Sequence, residues 1–145
     1  MPLIQIDIAD SQNHLDELPD SDRRGLTLET YQHFGCGYLD KWSHPKIWLE
    51  KGKAFPTRRI IIPTADKAHY LATLLLSDRT NIDKQYWKMH AGVKTELFNL
   101  DALKSNNELI LVVEGEIDAM SIWQTSSGNV AVVATLSVGG YKELL

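Results

Sequence analysis

The chain has 145 residues, 43% of them hydrophobic, and a formal net charge of -4. That length suits one compact domain or two small subdomains sharing a core, and no run approaches the roughly 18 to 20 continuous apolar residues of a membrane-spanning helix. With no basic amino-terminal region leading into an apolar block, the expectation is a cytoplasmic protein with no membrane contact, and the lone Cys36 excludes a disulfide framework or a Cys-rich zinc ribbon within these residues.

The charge is unevenly spread. Residues 1 to 40 hold eight acidic side chains (Asp7, Asp10, Asp16, Glu17, Asp20, Asp22, Glu29, Asp40) against Arg23 and Arg24. Residues 41 to 59 reverse this, with Lys41, Lys46, Lys51, Lys53, Arg58 and Arg59 against Glu50. Trp42, Trp48 and Phe55 are interleaved with those cations. Single-stranded nucleic acid favours this mixture, because phosphates take the charge and bases stack on the rings. The same three aromatics read equally well as core side chains beneath a solvated row of lysines.

In chain order, Asp20-Ser21-Asp22 reads as a turn or a helix start, and Leu28, Tyr31 and Phe34 fall at helical spacing until Gly35 stops the run. A helix over about 27–34 is predicted, then a brief strand at Gly37-Tyr38-Leu39, then a loop punctuated by Pro45, Gly52 and Pro56. Arg59-Ile60-Ile61-Ile62, closed by Pro63, and Tyr70 to Leu76 suggest an antiparallel pair; Tyr86 to His90 adds a third strand, and Asp101 to Lys104 a helical turn. Leu109 to Val113 is an unbroken apolar run, the pattern of a strand covered on both faces. A helix from Glu116 to Gln124 follows, broken at Ser126-Ser127-Gly128-Asn129, and Val130 to Leu136 forms a second buried strand. Strand, helix and strand in that order build a parallel βαβ unit, so the fold class expected is α/β, an α+β amino-terminal subdomain over 1–105 followed by a partial parallel unit over 106–145.

Glu114 ends the first of these strands, where open α/β sheets place ligand sites. Gly115 is expected to let the chain turn sharply, and Glu116 and Asp118 fall in the first helical turn, where the macrodipole favours negative charge. Glu116 is read as a cap and dipole partner only. Glu114 and Asp118 are read as functional, oxygen ligands suited to Mg²⁺ or Mn²⁺, although a first-turn acid also needs no special purpose.

Val113-Glu114-Gly115-Glu116-Ile117-Asp118-Ala119 resembles the signature of TOPRIM domains, in the variant seen in DnaG-type and phage primase-helicase proteins. Upstream, Arg24-Gly25-Leu26 with Glu29-Thr30 and Phe34 through Gly37-Tyr38 is similar to the opening segment of primase cores, and Arg59 to Pro63 to their basic residue, apolar strand and proline. Arg79, Lys88 and Phe98 are spaced much as in the family's basic strip, whereas Ala91 and Leu100 stand where the family often has Asn and Lys. Val133 to Gly140, with the motif glycines Gly139 and Gly140, resembles the next TOPRIM strand and its glycine-bearing loop.

The resemblance implies a fragment of a DNA primase core, of chromosomal, phage or mobile-element origin, that ends before the Asp-x-Asp strand of the metal site. The parent would join ribonucleoside triphosphates on a single-stranded DNA template with Mg²⁺ or Mn²⁺, beside a replicative helicase, while this piece alone would not polymerise. It further implies catalytic and metal-binding roles for Glu114 and Asp118, and nucleic-acid or nucleotide contacts for Arg59, Arg79, Lys88, Lys51 and Lys53. The alternatives are a TOPRIM nuclease or topoisomerase fragment, and a non-catalytic module that binds single-stranded DNA. Histidines 14, 33, 44, 69 and 90 have no zinc-site spacing.

Overall fold

A computed structural model describes residues 3–44, 56–91 and 97–136. Its architecture is mixed α/β: a four-stranded antiparallel sheet in the order β1-β2-β3-β4 and a separate parallel pair, β5-β6. The strands are β1 (Gly37–Trp42), β2 (Thr57–Pro63), β3 (Tyr70–Leu74), β4 (Lys88–Ala91), β5 (Ile110–Val113) and β6 (Ala131–Ala134). The helices are α1 (Leu3–Asn13), α2 (Leu28–His33) and α3 (Glu116–Thr125), the last connecting β5 to β6. No helix among the described residues is long and apolar enough to cross a membrane.

Pleating decides what each face of the large sheet buries, because successive side chains alternate. Tyr38, Ile60, Ile62 and Leu71 face one way and Ile61, Tyr70, Ala72 and Ala91 the other. A register shift between Leu39 and Trp42 brings both of those residues onto the second face, under Ile8 of α1. There the Trp42 indole donates to the Tyr70 hydroxyl at 2.8 Å, and that hydroxyl donates to Asp7 at 2.7 Å, tying α1 to the sheet.

The first face meets the βαβ unit. Tyr31, Phe34, Ile60, Ile62 and Leu71 share one core with Ala119 and Met120 of α3 and Val132 and Ala134 of β6. Each fully buried aliphatic or aromatic side chain contributes about 1.5 to 3 kcal/mol relative to exposure, so this common core fixes the βαβ unit on the sheet. Two polar clamps add register. Gln124 of α3 accepts from the Thr27 amide and the Thr30 hydroxyl at 2.8 and 2.7 Å and donates to the Gly25 carbonyl at 3.0 Å. Trp123 stacks on His33, ring centroids 4.0 Å apart.

Most expected elements stand near their predicted places, and Pro63 closes β2 as expected, paired with Tyr70 at the last residue of the strand, where a missing donor is tolerated. There are three differences. The helix α1 has no counterpart in the sequence reading, since alternating Ile4, Ile6 and Ile8 obscure any helical stripe. The third strand starts only at Lys88, because Lys84–Tyr86 coils into a tight turn. Finally, β5 is not covered on both faces: Val112 is 52% exposed and Leu109, ahead of the strand, 59%. Leu111 and Val113 meet the main core and Ile110 packs with Ala102, Ala131 and Val133, so only part of the outer face is covered.

The α1 helix approaches β1 closely at Gly37. A Cβ on Gly37 would fall 2.2 Å from Ser11 Oγ and 2.3 Å from its carbonyl carbon, and Ser11 is fully buried. Backbone cannot yield there as a flexible side chain could. Gly37→Ala is expected to destabilise the chain by about 3 kcal/mol, at or beyond the top of the usual overpacking range, read as a lower urea midpoint; an unchanged midpoint would refute this packing.

Candidate functional site

The exits of β5 and β6 are joined by backbone hydrogen bonds: Thr135 donates to the Val113 carbonyl at 2.9 Å and Leu136 to the Glu114 carbonyl at 2.8 Å. Leu136 holds φ at +64°, a conformation costly for a side chain with a Cβ, on the order of 1 to 3 kcal/mol. The main chain of Glu114 is thereby fixed while its side chain stays exposed. Gly115 is extended, with φ at -94°, so the sharp turn expected of it is not the reason for a glycine. Its missing Cβ instead leaves room for Asp118, whose Oδ2 would lie 3.1 Å from such an atom. Asp118 is exposed on the first turn of α3.

Glu116, the first residue of α3, lies differently. It is 1% exposed, and its Oε2 accepts from the Lys88 ammonium at 2.8 Å, joining α3 to β4. Its Oε1 is buried with no hydrogen-bond partner among the described residues. Glu116 does stand in the first turn, as its reading as a cap and dipole partner required, but the first-turn position gave no sign of its burial or of its bond to Lys88.

Cations gather around it. Arg79 is half-buried, its guanidinium lies over the Trp87 ring at 5.0 Å, and its buried Nε has no partner among the described residues. Burial, and then the nearby charge of Arg24, push the Arg79 pKa down, while Glu116 opposes them. Arg24 takes a left-handed conformation, φ +58°, just before Gly25, whose carbonyl is gripped by Gln124 of α3. Neither Arg24 nor Arg79 makes an ion pair among the described residues; the Lys88 ammonium is bonded to Glu116, while Arg79 lies within electrostatic reach of both that carboxylate and Arg24. Sequence reasoning placed Arg79 and Lys88 here and left Arg24 out of the basic strip; only the Arg-Gly pair within the resemblance pointed to it.

Arg59 belongs elsewhere. It is 2% exposed, and its guanidinium donates to the carbonyls of Ala72, Tyr86 and Trp87 at 3.1, 2.7 and 3.2 Å and, through Nε, to the Thr57 hydroxyl at 2.9 Å. Burial and the neighbouring Arg79 push its pKa down to about 10. The expected contact with nucleic acid is corrected: its donors close strand ends and turns. Trp42 likewise is core, 3% exposed, and cannot offer a face to a base. Arg58 is held by Asp78 through two 2.9 Å hydrogen bonds. Lys51, Lys53, Gly139 and Gly140 lie outside the described residues.

Carboxylate oxygens at Glu114 and Asp118 match the chemistry of Mg²⁺ or Mn²⁺. Among the described residues, however, no three His, Cys, Asp or Glu side chains come together in a group that could hold an ion. The two acids therefore supply the donor chemistry without a complete ligand group among the described residues.

No protein-family model matches the sequence and no curated protein matches it. Solved structures do. The Escherichia coli primase catalytic core superposes with a TM-score of 0.62 at 16% identity, covering 95% of this chain and 55% of that one. A DnaG primase catalytic domain bound to single-stranded DNA gives 0.63 at 18% identity, covering 99% and 56%. The RNA polymerase domain of Mycobacterium tuberculosis DnaG in complex with double-stranded DNA gives 0.64 at 16%, covering 97% and 56%. The chain has the fold of DnaG-type primase catalytic cores. It spans a little over half the length of each of these three chains, so the likeness to DnaG cores concerns architecture across nearly all of this sequence.

Within that primase-like fold, Arg59 and the Arg24, Arg79 and Lys88 group are expected to separate in experiment. Arg59→Met should cost about 2 to 4 kcal/mol in urea denaturation, because buried carbonyls lose a charged donor, without altering the salt dependence of oligonucleotide binding. A variant of undiminished stability that bound less steeply with salt would reverse the assignment.

Proposed function

We propose that the chain is part of a DNA primase catalytic core and that the face formed by Arg24, Arg79 and Lys88 receives the phosphates of single-stranded DNA and of ribonucleoside triphosphates. The observation that carries this reading is the imbalance of charge at the start of α3: Lys88 is bonded to Glu116, while Arg79 and its neighbour Arg24 have no ion-pair partner among the described residues. Like charges brought together without counter-charges are favourable only when a polyanion arrives, as in phosphate recognition. The primase-like architecture supports the same reading. Residues 1–105 would supply the cationic face and 106–145 the first part of a TOPRIM unit, the two sharing one core.

In the parent reaction a primer 3′ hydroxyl attacks an α-phosphate and pyrophosphate leaves. Glu114 and Asp118 would hold Mg²⁺ or Mn²⁺ together with carboxylates from further along the parent chain, and that ion would supply charge neutralisation at the transferring phosphate. Glu114, exposed on a fixed backbone, orients its carboxylate toward the reacting groups or accepts the hydroxyl proton. Arg79 and Lys88 align template and triphosphate. A replicative helicase is the partner proposed for the parent protein.

A non-catalytic module for single-stranded DNA is the second reading, favoured by the lack of a three-ligand group among the described residues. The two readings share the cationic face and differ at Glu114.

Anisotropy titration of a labelled single-stranded oligonucleotide across a salt series tests the shared part. Alanine at Arg24, Arg79 or Lys88 is expected to weaken binding roughly three- to tenfold and to lower the salt slope by about 0.7 per cation removed; salt-independent binding, or none, would overturn it. Glu114→Gln should leave this binding within about twofold, since an exposed acid outside the cationic group contributes little. In a longer chain carrying the remaining acidic strand, the same substitution should abolish primer synthesis on template with ribonucleotides and Mn²⁺. Full synthesis by that variant would remove Glu114 from the chemistry.

A further inference from the structure

Glu116 has no part in that mechanism, yet it is the most buried of the three acids between 114 and 118. An acid that served only the helix dipole could stay exposed on the first turn, as Asp118 does. Burying a carboxylate with one partner and a bare second oxygen is unfavourable for folding taken alone, so its placement is not explained by stability.

Its geometry toward Lys88 explains it. The Lys88 side chain is 38% exposed on β4, the edge strand of the sheet, and an unpaired lysine there would sample many rotamers. One charge-assisted hydrogen bond to Glu116 consumes one of three ammonium donors and leaves two for solvent or a ligand. Thr73, opposite Lys88 in the β3-β4 register, has a buried hydroxyl with no partner among the described residues, and Arg79 feels the same carboxylate. We infer that Glu116 is a positioning residue: it anchors the Lys88 ammonium to the start of α3, two residues beyond Glu114, so that the remaining donors face an incoming phosphate. The ligand class rests on the reading of the cationic face given above, whereas the anchoring does not.

Electrostatics gives this inference a sign that a general field effect cannot produce. Removing a negative charge beside Lys88 and Arg79 should tighten binding of a polyanion; loss of anchoring should weaken it. In the 145-residue chain, Glu116→Gln is expected to weaken oligonucleotide binding roughly three- to tenfold, and the effect should fall below about twofold when Lys88 is already Met. Tighter binding, or an equal loss in the Lys88→Met background, would overturn the inference. Brief acetylation with acetic anhydride, mapped by mass spectrometry, supplies a readout that needs neither DNA nor a variant. Lys88 in the unmodified sequence should react about fivefold more slowly than the exposed Lys104, because the hydrogen bond to Glu116 holds its nitrogen against the start of α3 and restricts approach of the reagent, and Glu116→Gln should narrow that gap. Equal rates in the unmodified chain would refute anchoring even if the variant failed to fold. If that chain bound no oligonucleotide, the phosphate reading would fail and the acetylation contrast would decide the anchoring by itself.

Discussion

The contact between Lys88 and Glu116 is the hinge of the structure's chemistry, because it is where the antiparallel sheet and the βαβ unit meet through charge. One side chain comes from β4 and the other from the first residue of α3. Their 2.8 Å contact places the basic strip against the helix that follows Glu114. A buried ion pair is weak evidence for stability, since desolvation offsets much of its attraction; its effect here is to fix position.

That effect depends on a scaffold rigid enough to make position meaningful. The shared core supplies it, with Ile60, Ile62 and Leu71 of the sheet packed in the same cluster as Met120, Val132 and Ala134. Gln124 and Trp123 then key α3 to α2 and to the Arg24–Gly25 turn. Arg24 is thus carried toward Arg79 by contacts that α3 makes with the turn. Packing at that turn determines where the cations stand.

Much of this was legible in the residues. Apolar runs bounded by turn formers gave β2, β3, β5 and β6, and the Glu114 to Ala119 motif marked a strand exit leading into a helix, as observed. Local patterns could not show which cations turn inward. Arg59 and Arg79 look alike in sequence and each lies over an indole, yet Arg59 is spent on three carbonyls while the Nε of Arg79 has no partner among the described residues. Only the pairing of β2 with β3, and the turn at Lys84–Tyr86, distinguishes them. Glu116 escaped for the same reason, since its partner lies 28 residues away. The helix α1 was hidden because its isoleucines alternate with polar residues, and the choice between core and stacking platform stayed open for Trp42 because a shift of strand register decides its face.

Phosphates are proposed to meet the chain at the start of α3. The most direct measurement is a two-dimensional NMR titration that follows arginine Nε–Hε and lysine ammonium signals as a short single-stranded oligonucleotide is added. Arg24, Arg79 and Lys88 are expected to shift together and saturably while Arg59 and the Asp78-bound Arg58 stay in place. Shifts centred on other cations, or spread evenly over the surface, would contradict it.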